Sequence, residues 1–351
     1  MSRSFKSEAV TAKPRDRSDI ELDEVKTLIR KFYALEIVAA KALGGEIDHN
    51  LCVTDAHGQR FLAKLTPASS PPALVQWQES VLEYLAQRPI SVEFPRMLQN
   101  CHGQWHCNVS VGDKQYLLRL LTWIDGSLMA DLDEHPPGLL HQLGYVAAEI
   151  TQALEGLQQS EGVNAHHWLV TRSREAVEAS IDAVTDPDCQ RSVAVIMTWF
   201  QEAAALFSRL PLATVHQDLN DYNVLVTVSD SGDARVAGVL DFNDAVTTIR
   251  VAELAVAGAY AMLRKSDPIK AFCEVVAGYR ERISMTDEEL AVVFPLAAAR
   301  LCVNAATWTK RTSLENHLYG ETRKQATWPT VLHLAKTSPA EVLSMICRGQ
   351  A

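Results

Sequence analysis

The chain is organised around residues 214–244, which read TVHQDLNDYN (214–223), VLVTV (224–228), SDSGD (229–233) and ARVAGVLDFND (234–244). The two runs rich in β-branched residues, with a Ser-, Asp- and Gly-containing turn between them, predict a hairpin of two antiparallel strands. Such a hairpin brings the residues that precede its first strand next to those that follow its second. We therefore expect Asp218, Asn223 and Asp241 to present oxygen atoms at one edge, where a hard cation such as Mg²⁺ finds the ligands it prefers.

The spacing within this segment is more specific than its composition. Asp218 and Asn223 are separated by four residues. This is the spacing of a kinase catalytic loop, in which the Asp accepts the proton of the attacking hydroxyl and the Asn holds a metal ion. Turn-forming residues beside ordinary strands would explain either residue alone. They do not explain the loop, the hairpin and Asp241 in this order.

HQDLNDYNVLV (216–226) and GVLDFNDAV (238–246) resemble the motifs of the aminoglycoside phosphotransferase superfamily, and IRVAELA (249–255) is most similar to its hydroxylysine kinase branch. The resemblance implies an α+β, bilobal protein-kinase-like fold with a small antiparallel-sheet N-lobe and a larger, mainly helical C-lobe. We place the N-lobe at residues 19–122 and the C-lobe at 123–351. The polar, charged residues 1–18 are expected to form a disordered tail.

Two residues depart from the family's pattern. Gln217 stands where these loops usually carry Gly, and Asn243 stands where the Asp-Phe-Gly triplet carries its Gly. Asn tolerates left-handed backbone angles better than most residues, so we expect the loop to keep its usual shape. The Asn243 amide would then be placed to contact a substrate or a phosphate, and the site would be active.

The N-lobe carries the nucleotide contacts that the resemblance implies. LGGEIDHN (43–50) resembles the loop that covers the nucleotide phosphates, which assigns nucleotide contacts to Gly45, Asp48 and Asn50. Lys64, on an otherwise apolar strand, is the expected phosphate-contacting lysine, although an exposed Lys on the solvent face is the alternative. Trp123 lies at the expected hinge between the lobes, where main-chain groups meet the adenine.

The resemblance also implies a partner for Lys64. The helix predicted at 74–87, after the PASSPP linker (67–72), carries Glu79 and, one turn later, Glu83. We favour Glu79 as the partner of Lys64, because of its position on the helix relative to the linker, and keep Glu83 as the alternative.

The catalytic and metal roles follow from the same resemblance. Asp218 would orient the acceptor hydroxyl and accept its proton, while Asn223 and Asp241 would hold the metal against the phosphates. Lys64 would grip the other phosphate oxygens. His216 is expected to brace the loop through hydrogen bonds rather than to perform chemistry.

Three further residues are candidates for contacting the acceptor. Asp244 and Asp221 are candidates for an ammonium group, although a capping role within the loop is equally compatible with Asp221. Arg300 interrupts an apolar helix face and needs an anionic partner. A substrate carboxylate is one such partner, and a structural pair with Glu253 is the favoured alternative.

Two clusters of His and Cys residues are candidates for metal sites. CHGQWHC (101–107) has no known zinc-site spacing, and the preferred interpretation is a plain Gly turn. The His166–His167 pair is interpreted as part of a loop that caps the helical core.

Composition limits the classes of partner. With 351 residues and a formal net charge of −10, the chain is long enough for two lobes, and nucleic acid or an anionic membrane surface is not expected as a partner. Seven scattered cysteines are an odd number and do not form a secreted disulfide framework, so we expect reduced thiols and a cytoplasmic location. The apolar stretch 291–306 contains Pro295 and Arg300 and is too short and interrupted to span a bilayer.

Together these features predict an ATP-dependent kinase that uses Mg²⁺ and phosphorylates a hydroxylated amine or amino acid, with 5-hydroxylysine as the candidate that the resemblance names. GTP is not excluded as the donor. An aminoglycoside, choline or homoserine-type kinase shares the fold and stays an alternative. A nucleotide-binding regulatory pseudokinase is a third interpretation, which Gln217 and Asn243 keep open.

Overall fold

The computed structural model of the chain describes residues 21–43, 45–163, 166–315 and 317–348. The tail expected at residues 1–18 lies outside these ranges. The strands are β1 (Ile37–Ala42), β2 (His49–Asp55), β3 (Arg60–Pro67), β4 (Met97–Leu98), β5 (Cys107–Val111), β6 (Lys114–Thr122), β7 (Ser127–Leu128), β8 (Leu212–Val215), β9 (Val224–Val228), β10 (Ala234–Val239) and β11 (Val246–Ile249). The helices are α1 (Leu22–Tyr33), α2 (Pro72–Ala86), α3 (Pro137–Ala153), α4 (Ser173–Glu178), α5 (Pro187–Ala204), α6 (Ala252–Ala261), α7 (Pro268–Arg280), α8 (Asp287–Leu314), α9 (Leu318–Leu334) and α10 (Pro339–Arg348).

The N-terminal part is an antiparallel sheet in the order β1-β2-β3-β6-β4, with β5 also paired to β6. Helix α1 contributes Val25 and Ile29 to the core on one face of this sheet, where Phe61 and Leu65 of β3 are also buried. Successive side chains of a strand point to opposite faces. Lys64 therefore lies on the other face of β3, towards the rest of the molecule.

Helix α2 packs into the larger core rather than into the core of the sheet. Its buried residues Trp77, Val81 and Leu85 belong to the cluster that the C-terminal helices form. The Trp77 indole Nε1 donates to the Ala245 carbonyl oxygen at 2.6 Å. This contact fixes α2 against the segment that follows β10, while Gln78 of α2 accepts from Arg119 of β6 in the sheet.

Helix α8 is the central helix of the C-terminal part. A capping box begins it, because the Thr286 side chain accepts from the Glu289 N–H and the Glu289 side chain accepts from the Thr286 N–H. Among the described residues, it is the one helix long and apolar enough to cross a membrane, and 94% of its apolar window is buried inside the protein. Pro295 lies within the helix without ending it. Its length and apolarity are therefore those of a buried core helix.

Two nested antiparallel pairs build the part of the fold that matters for the site. β9 pairs with β10, with Val224 opposite Val239. β8, before this hairpin, pairs with β11, after it, with Val215 opposite Val246. The two connecting segments, residues 216–223 and 240–245, are consequently brought to the same end of the two pairs. The arrangement agrees with the bilobal α+β fold expected from the sequence.

Candidate active site

The edge of the hairpin brings Asn223 next to Asp241, as the sequence pattern predicts. The Leu240 N–H donates to the Asn223 carbonyl oxygen at 2.8 Å, which extends the β9–β10 ladder by one step. The Leu240 carbonyl oxygen lies 2.8 Å from Nε2 of His216, in the other connecting segment. Residues 216–223 and 240–241 are thus tied together through their backbones.

Asp218 is held by three side chains. Its Oδ2 accepts from Nδ2 of Asn220 at 2.8 Å and from Nδ2 of Asn223 at 2.7 Å. Its Oδ1 lies 2.7 Å from Nη2 of Arg300. Burial raises the pKa of Asp218, and the Arg300 guanidinium opposes that shift. The side chain keeps 20% of its exposure, so it is oriented yet accessible to a small molecule.

His216 uses both ring nitrogens within the fold. Its Nδ1 accepts from the Asp218 N–H at 3.1 Å, so Nε2 carries the proton that is donated to Leu240. Burial lowers the pKa of His216 to about 4, which keeps the ring neutral. The imidazole also lies against Phe242, with ring centroids 4.4 Å apart. These contacts link the loop to the segment after β10 and leave no ring nitrogen for proton transfer.

Gln217 adopts a left-handed conformation, with φ of 69°. Glycine, which the resemblance leads us to expect here, adopts this conformation freely, whereas a residue with a Cβ adopts it at a cost. The Gln217 N–H donates to Oε2 of Glu253 at 3.0 Å, and Glu253 is fully buried at the start of α6. A carboxyl from a distant helix therefore holds the strained residue that precedes Asp218.

We expect two substitutions of Glu253 to differ in effect. Glu253→Ala leaves the buried Gln217 N–H without an acceptor and lowers the free energy of unfolding by about 1–3 kcal/mol. Glu253→Gln keeps a carbonyl oxygen in place, so urea denaturation near neutral pH should detect a smaller loss. An equal loss in both variants would show that the hydrogen bond to Gln217 contributes little.

The Glu253→Gln variant should also change how stability depends on pH. Burial raises the pKa of Glu253 to about 8, well above the value of about 4.3 for an unperturbed glutamate. Between these values the native chain binds one proton more than the unfolded chain, so this group makes stability fall as pH rises. Glu253→Gln removes that dependence, so its stability relative to wild type should improve between about pH 5.5 and about pH 8.

Lys64 is buried between two carboxylates, and neither is the one predicted. Its Nζ lies 3.2 Å from Oδ2 of Asp48 and 3.3 Å from Oδ1 of Asp241. The expected pair with Glu79 was wrong in this structure, because Glu79 Oε1 lies 2.7 Å from Nδ1 of His106 instead. Glu83, the alternative, is exposed. The packing of α2 on the segment after β10, which a sequence pattern does not reveal, accompanies this change of partners.

The residue with left-handed angles after β10 is Asp241 rather than Asn243. Asp241 has φ of 56°, whereas Asn243 lies within a short 3₁₀ turn, Phe242–Asp244. The prediction that Asn243 would need left-handed angles was therefore wrong. Its side chain is engaged within the protein, since Nδ2 donates to Oδ2 of Asp48 at 3.1 Å.

Asn223 and Asp241 supply a donor set that fits Mg²⁺. The Nδ2 of Asn223 is engaged by the backbone and side-chain oxygens of Asp218, which leaves the amide oxygen as the atom available to a cation. The Asp241 side chain is 44% exposed. Mg²⁺ is commonly bound by one or two such oxygen ligands, with substrate phosphates completing its shell.

Two of the three candidates for acceptor contacts are committed to protein groups. Arg300 is 1% exposed and donates to Tyr260 Oη, to the Trp168 carbonyl oxygen and to Asp218. The favoured alternative, a pair with Glu253, was wrong. Asp221 is 2% exposed and lies between Arg323 and Arg264, so it is neither a loop cap nor an accessible ammonium ligand.

The third candidate, Asp244, faces the site and is surrounded by charge. Burial raises the pKa of Asp244, and the nearby Asp241 and Glu46 carboxylates raise it further. Among the described residues, no hydrogen-bond donor to its carboxylate is found. Asp244 therefore remains a candidate for an ammonium group of an acceptor.

The sequence did not indicate the ion pair that joins the nucleotide loop to α8. Glu46 Oε1 lies 2.6 Å from Nη2 of Arg311, and Glu46 Oε2 accepts from Trp168 Nε1 at 3.3 Å. The Arg311 guanidinium also lies over the rings of Trp168 and Trp308. The available signal was an Arg close to the end of a helix that is otherwise largely apolar. Without the three-dimensional packing it indicates no partner.

The remaining predicted nucleotide residues are placed as follows. Asn50 lies on β2 directly opposite Lys64 on β3. The Trp123 indole follows β6, donates to Oδ1 of Asp125 at 3.1 Å and lies beneath the Arg60 guanidinium. A Cβ added to Gly45 would come within 2.2 Å of the Asp48 carbonyl oxygen, so the tight loop requires glycine there.

In each of the two His and Cys clusters, a His side chain contacts another protein group. Gly103, with φ of 73°, forms the turn before β5, and His106 pairs with Glu79. His167 Nε2 lies 2.8 Å from Thr307 Oγ1, and burial lowers the pKa of His166 and His167 to about 4. In the part of the chain that the structure describes, no three or more His, Cys, Asp or Glu side chains are grouped to hold a metal ion.

The chain is similar to known proteins in sequence and in fold. A bovine (Bos taurus) hydroxylysine kinase is 26% identical over 299 residues, which cover 80% of this chain and 79% of the relative. An amicoumacin kinase in complex with AMP-PNP and Ca²⁺ superposes with a TM-score of 0.64 at 16% identity, covering 92% of this chain and 95% of that one. A microcompartment-associated aminopropanol kinase gives a TM-score of 0.63 at 16% identity, covering 90% and 97%. Because the family model for the phosphotransferase enzyme family (APH) matches residues 39–284, the chain belongs to that family.

Proposed function

We propose that this phosphotransferase moves the γ-phosphoryl group of ATP to a hydroxyl group of a small amine or amino acid, with 5-hydroxylysine as the first acceptor to test. The observation that carries the proposal is the convergence of Asp218, Asn223, Asp241 and Lys64 at the junction of the sheet and the helical part. A base, two metal ligands and a phosphate-binding cation at one place are the parts that phosphoryl transfer requires.

The residues would act as follows. The acceptor hydroxyl donates to Asp218, which takes the proton as the oxygen forms its bond to the γ-phosphorus and the bond to the β–γ bridging oxygen breaks. ADP leaves with that bridging oxygen. Asn220, Asn223 and Arg300 keep the Asp218 carboxylate in one orientation, so little reorganisation is needed during the reaction.

Residues on both sides of the junction between the sheet and the helical part would bind the phosphate oxygens and the metal ion. Lys64 is positioned to grip phosphate oxygens, and Asn223 with Asp241 would hold Mg²⁺. When bound, Mg²⁺ neutralises the charge that develops on the phosphate oxygens. His216 holds Asp218 through the backbone and Glu253 holds Gln217, so both act as positioning residues.

The acceptor class rests on the charge around Asp218 and on the relatives. Asp244 adds a carboxyl group to this side of the site, whereas Glu46 is already paired with Arg311, and a free carboxylate favours an acceptor that carries an ammonium group. The bovine relative at 26% identity is a hydroxylysine kinase, so hydroxylysine is the natural starting acceptor.

All seven cysteines are free thiols. We therefore propose a reducing, cytosolic compartment.

The direct test is Mg²⁺-dependent formation of ADP with a panel of acceptors. The panel contains 5-hydroxylysine, lysine as the matched compound without the hydroxyl, an amino alcohol without a carboxylate, choline, homoserine and an aminoglycoside. We expect turnover with 5-hydroxylysine and none with lysine. Activity confined to another member would reassign the acceptor, whereas nucleotide binding without transfer to any of them would favour the pseudokinase interpretation. Replacing ATP with GTP in the same assay decides the donor.

A further inference from the structure

Asp48 is a buried carboxylate at the end of the loop that precedes β2, and it contacts four side chains. Its Oδ1 accepts from Thr66 Oγ1 at 2.8 Å. Its Oδ2 lies 3.2 Å from Lys64 Nζ, 3.1 Å from Asn243 Nδ2 and 3.9 Å from Arg119 Nη2. Three of these partners lie on β3 and β6, and the fourth lies on the segment that carries Asp241. Asp48 therefore connects the sheet to the proposed metal-binding segment.

The Asp48 side chain is charged despite its burial. Burial alone would raise the pKa of Asp48, but the Lys64 and Arg119 charges and the Thr66 hydrogen bond outweigh it, so the pKa is lowered. A buried carboxylate with this many donors is a fixed anion rather than a group that must rearrange. It is therefore suited to hold a buried ammonium group in one position.

Glu79, which the family pattern assigns to Lys64, is engaged elsewhere. It contacts His106, and its helix α2 is fixed by the hydrogen bond between Trp77 and Ala245. Lys64 is only 6% exposed, so its charge needs a nearby anion whether or not nucleotide is bound. That anion is not Glu79.

The two carboxylates at Lys64 differ in exposure. The Asp48 side chain is 6% exposed and the Asp241 side chain is 44% exposed. A phosphate group or a metal ion arriving from solvent meets Asp241 first. Asp241 is thus the carboxylate available to the metal, while Asp48 stays with Lys64 behind it.

We propose that Asp48 takes the place of Glu79 as the residue that positions Lys64, and that Asn243 stands in place of glycine because its amide holds Asp48. This inference rests on the proposed kinase function and names two positioning residues for it. Glycine at 243 has no side chain to donate, so the replacement of glycine by Asn243 and the pairing of Lys64 with Asp48 explain each other. Gly45 supports the arrangement, because a Cβ there would collide with the Asp48 backbone.

The arrangement joins nucleotide binding in the N-lobe to the metal segment of the C-lobe. Asn243 lies two residues after Asp241 and donates to Asp48, which in turn contacts Lys64. A change in the position of either segment therefore reaches the other through one hydrogen bond and one ion pair.

The first experiment compares Asp48→Asn with Glu79→Gln, since each substitution removes one negative charge and preserves shape. Binding of ADP without metal is measured by calorimetry, and kcat and the KM for ATP are measured with the best acceptor. Loss of one member of a buried pair predicts a fall in kcat/KM for ATP on the order of 10²-fold for Asp48→Asn, with weaker ADP binding. Glu79 does not contact Lys64 in this structure, so we expect Glu79→Gln to change kcat/KM for ATP by less than about fivefold.

The second experiment is a double-mutant cycle between Asp48→Asn and Asn243→Ala. We expect Asn243→Ala to weaken ADP binding in the wild-type chain and to have little further effect in the Asp48→Asn chain, because the hydrogen bond is already altered. Asn243→Ala removes only the amide and keeps the Cβ. It therefore tests the contact even if Asp48→Asn folds poorly, which a thermal melt of each variant reveals.

Three results would overturn the proposal. Glu79→Gln could cost as much as Asp48→Asn, which would place Glu79 on Lys64 in the nucleotide complex. Asp48→Asn could bind ADP more tightly than wild type, which would make Asp48 a competitor of the phosphates. The cycle could be additive, which would separate Asn243 from Asp48. Since ADP binding needs no acceptor, these results are independent of whether the proposed acceptor is phosphorylated.

Discussion

Asp218→Asn should lower kcat by at least about 10²-fold, because loss of a general base costs typically 10²–10⁴-fold. Asn has nearly the same shape as Asp, and its one amide oxygen can accept either from Arg300 or from Asn223. The loop should keep its conformation, because His216 and Gln217 are held by contacts that do not involve this side chain. It cannot accept the proton of the acceptor hydroxyl. The measurement is steady-state formation of ADP with the best acceptor, together with the affinity for Mg²⁺–ATP.

The matched control is Asp230→Asn, the same change at an exposed position in the turn of the same hairpin. We expect this control to keep wild-type turnover. The affinity of Asp218→Asn for Mg²⁺–ATP should stay near the wild-type value, since in the proposed mechanism Asp218 contacts the acceptor and Lys64, Asn223 and Asp241 contact the nucleotide and metal. Near-normal turnover of Asp218→Asn would remove the residue from the chemistry and leave the acceptor without an identified base.

The part of this site that the sequence predicted is the part that local structure determines. A turn between two β-branched runs fixes the register of β9 and β10, and that register places Asn223 beside Leu240 and Asp241. The position of Lys64 on the inward face of its strand follows from the alternation of a strand in the same way. The alternation of side chains along each strand and the position of the turn therefore determine which oxygen and nitrogen atoms meet at the junction.

The partners of buried charges could not be predicted, because they depend on how distant elements pack. Glu253, the sole charged residue of the apolar α6, was expected beside Arg300. In the structure it accepts from the Gln217 N–H, while Arg300 on α8 reaches Asp218. Two buried groups of opposite charge indicate that each needs a partner. They do not indicate which of several candidates the packing brings within reach.

The same reason explains Asn243. The resemblance to the family implies that Asn243 replaces a glycine, and backbone preference then suggests strain at that position. The strain lies instead at Asp241 and at Gln217, and the Asn243 side chain contacts a residue almost two hundred positions earlier in the chain. A departure from a local motif was therefore explained by a long-range contact rather than by the local conformation.

Asp241→Ala should abolish the part of the ATP-induced thermal stabilisation that depends on Mg²⁺. A ligand that binds the native state raises Tm by mass action, and Mg²⁺–ATP should therefore raise the Tm of the wild-type chain more than ATP with a chelator does. Asp241 is the exposed carboxylate at this edge, and the other proposed ligand, Asn223, is uncharged. Without Asp241, the amide oxygen alone would not retain the cation.

The Asp241→Ala variant also distinguishes stabilisation by the metal from stabilisation by the nucleotide alone. Asp241 lies 3.3 Å from Lys64, so its removal leaves Lys64 with Asp48 as its contacting carboxylate and reduces the negative charge that opposes the phosphates. We therefore expect ATP with a chelator to stabilise Asp241→Ala at least as much as it stabilises wild type, and added Mg²⁺ to have no further effect. The exposed turn variant Asp230→Ala should keep the full Mg²⁺-dependent shift. A Mg²⁺-dependent shift that survives in Asp241→Ala would place the metal on other residues. Asp244, whose carboxyl interacts electrostatically with Asp241, would be the acidic side chain to test next.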